Sequence, residues 1–304
     1  MSTITTAAPV VTTTTTTTIT TDSSYVPRGP TTASLTFYTP PADNSVPFAY
    51  VSEPPAGQPQ YNYGRVDHKV SLSDIRGAGN PFTLDKDSFQ TLQNISSKTT
   101  YETFDSDALV QEIYYPEVES LLLNSIPGAH KIVLFDHTIR RDKASAHRKP
   151  VTLVHVDQTP RAAEARVRLH VPDPAEAEAL LKGRYRIVNV WRPLSAEAGE
   201  PVQSSPLAFA SAESVDPDDL VPVQLRYPDR TGETMGVKHN AGQKWHYWSG
   251  MTGDERLLLK CSDSKGLRDG DVAQWVPHTA FWDERTPAGA RPRESIEVRA
   301  LVFG

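Results

Sequence analysis

The chain has 304 residues, 38% of them hydrophobic, enough to bury the core of one large domain or two modest ones. A net charge of -6 and a pI near 5.9 exclude the basic footprint of a general nucleic-acid binder, and no apolar run is long enough to span a membrane. The single cysteine, Cys261, permits no intrachain disulfide and fits a reducing, cytoplasmic setting, while 25 prolines against 17 glycines favour turns and short strands over long helices.

Residues 1–24 are dominated by threonine, with an unbroken run from Thr13 to Thr18. Polar β-branched repeats without apolar periodicity bury too little surface to offset ordering entropy, so this segment reads as a disordered tail. Residues 25–130 read as an N-terminal extension, irregular up to about 105, with a short helix near Ser88–Asn94. A longer helix is predicted from about Asp107 to Asn124, where Leu109, Ile113, Val118, Leu121 and Leu122 recur at helical spacing.

From residue 131 the pattern turns to strands. Lys131–Phe135 and Val151–Asp157 come first, followed by two helices near 160–169 and 173–182. Strands are then predicted at Tyr185–Trp191, Leu207–Ser211, Leu220–Tyr227, Gly232–Lys238, Trp245–Ser249, Leu257–Ser262, Ala273–Trp282 and Ser295–Phe303. Many short strands separated by Gly, Pro and Asn-rich turns indicate a mainly β fold with flanking helices and a jelly-roll core spanning 131–304, which joins 25–130 in one domain. No glycine-rich phosphate loop follows a strand, which argues against a nucleotide-binding α/β fold.

Three residues stand out for chemistry. In His155-Val156-Asp157 the imidazole and the carboxylate fall on one face of a strand, because residues i and i+2 point the same way. His278, on a late strand, can complete a two-histidine, one-carboxylate metal site that leaves coordination positions open. The last strand opens with Arg293-Glu294-Ser295, whose guanidinium and hydroxyl share a face and can clamp a carboxylate. Arg299 lies on the same face, and Arg291 and Arg299 compete with Arg293 for that role. Asn189 can contact the same small anion or a water.

This order of motifs resembles the iron(II) and 2-oxoglutarate dependent oxygenases, and the context is similar to a fungal hydroxylase/desaturase family related to gibberellin desaturase and to a component of cephamycin methoxylation. The stretches that carry the resemblance are Phe135-Asp136-His137-Thr138-Ile139-Arg140, Val154 to Gln158, Asn189-Val190-Trp191-Arg192-Pro193, Asp254 to Ser264, Pro277 to Phe281 and Pro292 to Ala300. The resemblance covers roughly 33–304. It implies a double-stranded β-helix core, Fe(II) on His155, Asp157 and His278, 2-oxoglutarate and O2 as cosubstrates, and a small metabolite as substrate. Charge and hydropathy argue against a nucleic-acid or membrane partner, and a homo-oligomer stays open.

His137, Arg140, Trp191, His246 and Tyr247 are the candidate substrate contacts. Each has a structural alternative: a strand-end hydrogen bond for His137 and Arg140, core packing for Trp191 and for the cluster Trp245 to Trp248. His147, His170 and His239 read as surface histidines, and Cys261 as a buried inert thiol. A cupin-like metalloenzyme that does not use 2-oxoglutarate and a non-catalytic partner or binding jelly roll are the rival readings.

Overall fold

A computed structural model describes residues 25–79, 81–141, 150–195, 199–270 and 272–304. The threonine-rich segment and His147 lie outside these residues. Strands β1 (Thr31–Thr39), β2 (Phe48–Tyr50) and β3 (Gly64–Asp74) precede a single helical turn, α1 (Leu84–Asp87), and β4 (Phe89–Leu92). Helices α2 (Asp107–Leu109) and α3 (Tyr115–Ser125) are joined by a π-helical stretch, Val110–Tyr114. Then come β5 (Lys131–Arg140), β6 (His155–Val156), α4 (Pro160–His170), α5 (Pro174–Lys182), β7 (Tyr185–Leu194) and β8 (Leu207–Ala210). The chain finishes with β9 (Leu220–Arg226), β10 (Thr231–Val237), β11 (Trp245–Tyr247), β12 (Arg256–Asp263), α6 (Ser264–Asp269), β13 (His278–Ala280) and β14 (Glu294–Phe303).

The strands form two sheets, one of nine in the order β1-β3-β11-β8-β13-β6-β10-β9-β2 and one of five in the order β4-β12-β7-β14-β5. Their concave faces meet: the Phe89 ring of the smaller sheet lies 4.6 Å from the Phe209 ring of the larger. Trp191, Leu257 and Leu259 join those two rings in one apolar cluster. The opposite face of the smaller sheet, with Val188, Val190, Ile296 and Val298, is covered by α3 through Val118 and Leu122. A sheet buried on both faces loses the apolar/polar alternation that marks a half-exposed strand, which is why β7 and β12 are buried along their whole lengths.

Two expectations change. The helix near Ser88–Asn94 is instead strand β4, which pairs with β12 and buries Phe89 and Thr91 on alternate positions. Its four residues are too few to establish a period, and Ser88 sits at φ +65°, which ends α1 just before them. The segment read as irregular supplies β1, β2 and β3 to the larger sheet; β3 carries exposed polar residues along most of its length, so its pattern is faint in the sequence. Helix α4 begins at N-cap Thr159, whose hydroxyl accepts from Ala162 N, with Pro160 in the first turn. The helix therefore starts directly after Asp157-Gln158.

Candidate metal centre

Two very short strands carry the centre. His155 in β6 stands directly opposite His278 in β13. Opposed residues of an antiparallel pair hold their Cβ atoms about 5 Å apart, so register alone makes the imidazoles neighbours. Their ring centroids are 4.5 Å apart. Asp157, two residues beyond His155, turns to the same face, with Oδ1 3.2 Å from His155 Nε2 and 3.9 Å from His278 Nε2. One ligand atom from each of the three residues lies within 4.8 Å of the others.

Each donor is oriented by the backbone around it. His155 Nδ1 lies 2.8 Å from the Leu153 carbonyl oxygen, and His278 Nδ1 lies 3.1 Å from that of Val276. A carbonyl oxygen only accepts, so both Nδ1 atoms carry a proton and both Nε2 lone pairs face the common point. Asn189 on β7 donates Nδ2 to Asp157 Oδ2 at 2.7 Å, which leaves Oδ1 for the histidine side. Two imidazole nitrogens and a carboxylate oxygen converging from one side fit a divalent transition metal with open positions.

The electrostatics favour a cation. Burial opposes ionisation of Asp157, but hydrogen bonding from His155 and the charges of His278, His155 and Arg299 outweigh it and hold the carboxyl far below its ordinary range. Burial pulls His155 down, yet the hydrogen bond and charge of Asp157 reverse the sign and leave it raised. His278 is pushed down to about 4 by burial and by His155. Beyond the two Nδ1 protons, a further proton is favoured on His155 Nε2, beside Asp157, and disfavoured on His278, and a metal ion at the common point takes its place.

The inner face of β14 presents Ser295, Glu297 and Arg299 in succession. Arg299 donates Nε to Asp136 at 2.7 Å and Nη2 to Thr138 at 3.0 Å, both on β5. It lines a cavity of about 670 Å³ together with His155 and Asp157. Arg293 lies elsewhere, on a cavity of about 180 Å³, with Nη1 donating to Ser205 O at 2.6 Å and its guanidinium 5.6 Å from the Trp191 ring centroid. Its Nε is buried without a partner among the described residues, and burial followed by the charge of Arg140 brings its pKa down to about 10, so it stays cationic at neutral pH. Glu297 is raised by burial and by Asp157, partly offset by Arg299 and Arg140.

The structure brings His155, Asp157, His278, Asn189 and Arg299 together and separates the candidate substrate contacts. Arg140 pairs across the smaller sheet with Ser295 and faces the interior near Glu297. Trp191 joins the interior apolar cluster. His246 is also on the interior side but stands beyond Phe209, against Phe82 and Phe89 at 5.2 and 5.7 Å. His137 sits on the outer face of β5, bonded to Tyr115 and Asp107 of the helical layer. Tyr247 also faces outward, donating its hydroxyl to Gly29 O at 2.5 Å. The large cavity is lined instead by Tyr63, Gln158, Ala162, Ala165, Arg166 and Tyr227. A signal for the helical part existed: Ala162, Ala165, Arg166 and Leu169 recur at i, i+3, i+4 and i+7 on the first helix after His-x-Asp.

A jelly-roll barrel with a two-histidine, one-carboxylate cluster at its inner wall defines the class of non-haem metal oxygenases. Comparison with known proteins gives the family. A family profile described as an oxidoreductase/YMDC permease-like domain matches residues 35–303; no helix among the described residues is long and apolar enough to cross a membrane. The chain is similar to the hydroxylase/desaturase poxK of Penicillium oxalicum, 35% identical over 91% of this chain and 92% of that one. It is similar to the Fe(II)/2-oxoglutarate-dependent dioxygenase nvfI of Aspergillus novofumigatus, 33% identical over 90% and 96%. Among solved structures it resembles the iron and alpha-ketoglutarate-dependent endoperoxidase NvfI, with a TM-score of 0.79 at 30% identity over 91% of this chain and 99% of that one. The chain belongs to this fungal hydroxylase/desaturase family of Fe(II)/2-oxoglutarate-dependent oxygenases.

Proposed function

We propose that this enzyme binds Fe(II) through His155 Nε2, Asp157 Oδ1 and His278 Nε2 and oxidises an unactivated C–H of a small metabolite by hydroxylation or desaturation. The observation that carries the assignment is the convergence of these atoms within 4.8 Å, with each imidazole's other nitrogen tied to a backbone carbonyl. Bound iron with 2-oxoglutarate and O2 supplies the oxidising power, releasing succinate and CO2. The chain's own residues bind, orient and exclude water. Asn189 fixes the Asp157 carboxylate, and the Phe89, Phe209 and Leu259 wall keeps the barrel floor dry.

Arg293 is our choice for the far carboxylate of 2-oxoglutarate, with Ser295 assisting. It is a buried guanidinium with no carboxylate hydrogen-bonded to it among the described residues, an arrangement costly unless an anion completes it. Arg299 is the second candidate because it shares the cavity with the triad, although Asp136 and Thr138 already occupy it. Titrating 2-oxoglutarate into Arg293→Gln and Arg299→Gln separates them: the anchor's loss weakens binding at least about tenfold, and the other changes it little. A single buried cysteine, Cys261, its thiol pushed well up by burial, is consistent with a cytoplasmic location.

The reaction is tested by supplying Fe(II), 2-oxoglutarate and O2 and measuring succinate. Slow succinate release that disappears in His278→Ala supports the reading. Succinate release that persists unchanged in that variant removes His278 from the account.

A further inference from the structure

The mouth of the cavity is more basic than the chain around it. Arg65, Arg161, Arg166 and Arg230 line it in a chain whose net charge is -6. The acidic groups facing them are Glu233, 3.3 Å from Arg161 and bonded to Thr159 Oγ1, and Asp229, 3.3 Å from Arg230. Arg65 and Arg166 have no carboxylate partner among the described residues. Three of the guanidinium groups are held on aromatic faces: Arg65 4.0 Å from the Tyr61 ring centroid, Arg230 4.0 Å from that of Tyr227, and Arg166 5.3 Å from that of Phe135. Stacking immobilises the guanidinium plane and leaves its N–H edge for an acceptor. Between these cations lie apolar groups, Val151, Leu153, Leu225 and Leu169, and the two alanines Ala162 and Ala165 that leave the space open.

We infer that the substrate is an amphipathic organic anion, a carboxylate or enolate on a hydrophobic ring system, whose charge is met by Arg65 and Arg166 while its apolar body reaches toward the triad. This rests on the proposed oxygenase site for its orientation, but the binding itself needs no metal. It also differs from cosubstrate anchoring, assigned above to Arg293, which does not line this cavity.

The test uses 2-naphthoate and its uncharged isostere 2-naphthamide, titrated calorimetrically into the full-length protein with and without Fe(II) under anaerobic conditions and saturating 2-oxoglutarate. The inference predicts naphthoate binding that survives 2-oxoglutarate saturation and exceeds naphthamide binding by about fivefold, the scale of partly exposed charge-assisted contacts. Arg166→Gln and Arg65→Gln each remove most of that preference and leave naphthamide unchanged. Ala165→Trp, which fills the cavity, weakens both probes. Equal affinity for the two probes overturns the inference, and so does naphthoate that 2-oxoglutarate displaces, because it then occupies the cosubstrate subsite. Naphthoate preference in a protein that fails to bind iron overturns the oxygenase assignment and leaves this inference standing.

Discussion

Replacing Asn189 with leucine removes one contact from the centre and little else. The Nδ2 to Asp157 Oδ2 hydrogen bond, 2.7 Å long, joins a fully buried amide to an ionised carboxylate. Bonds to charged groups are worth about 1.5–3 kcal/mol, and at about 1.4 kcal/mol per decade this is a tenfold to hundredfold loss of metal affinity. The same range follows from groups that orient metal ligands in general. Asn189 Oδ1 has no partner among the described residues, so its removal costs no second hydrogen bond. Leucine is close in volume and stands opposite Leu259 across the sheet, with Ile187 two residues away on its own strand, so the fold is expected to hold. Anaerobic calorimetry with Fe(II), alongside thermal unfolding of the apoprotein, reads the two effects separately. Affinity within twofold of the native chain at unchanged thermal stability refutes the positioning role.

Gly236 stands opposite His155, and a Cβ there falls 2.8 Å from the Tyr38 ring, so Gly236→Ala destabilises by about 1–3 kcal/mol in denaturant titration and weakens iron binding by shifting β6. Asp263 is fully buried; burial raises its pKa, but Arg184 and Lys260 at 2.6 and 2.7 Å outweigh that and leave it lowered. Its contribution is therefore complete above the ordinary carboxylate pKa of 3.8 and fades as pH falls through the lower folded value. Asp263→Asn costs about 3–5 kcal/mol near neutrality, and its unfolding midpoint approaches that of the native chain below about pH 4. Fe(II) at a hundred times its dissociation constant raises stability by about 2.7 kcal/mol, visible as an upward shift of the unfolding temperature that a chelator reverses.

The triad was legible because one physical rule, same-face projection of residues i and i+2, links His155 to Asp157 without knowledge of the fold. What joins them to His278 is a strand pairing between segments far apart in sequence, and no local pattern encodes which late histidine ends up opposite His155. The strand regions of the core were legible from β-branched runs, but β6 and β13 shrink to two and three residues where the sequence suggests more. After β6 the chain bends at Asp157. His137 shows the other limit. On a strand covered on one side by helices and on the other by the barrel interior, alternation alone does not say which side faces the cavity, and His137 falls with the helices while Asp136 and Thr138 face Arg299. Tyr247 fails for the same reason: Trp245 and Tyr247 take the outer face of β11, and His246 takes the inner one.

The central claim is that His155, Asp157 and His278 hold iron in a form that also accepts 2-oxoglutarate. Fe(II) added anaerobically to the apoprotein, followed by 2-oxoglutarate, produces a visible charge-transfer band when the 2-oxo acid chelates a metal with open positions. The account predicts this band in the native chain and its loss in His155→Ala. A native chain that binds iron and shows no band on saturation with 2-oxoglutarate, or a His155→Ala variant that keeps the band, contradicts it.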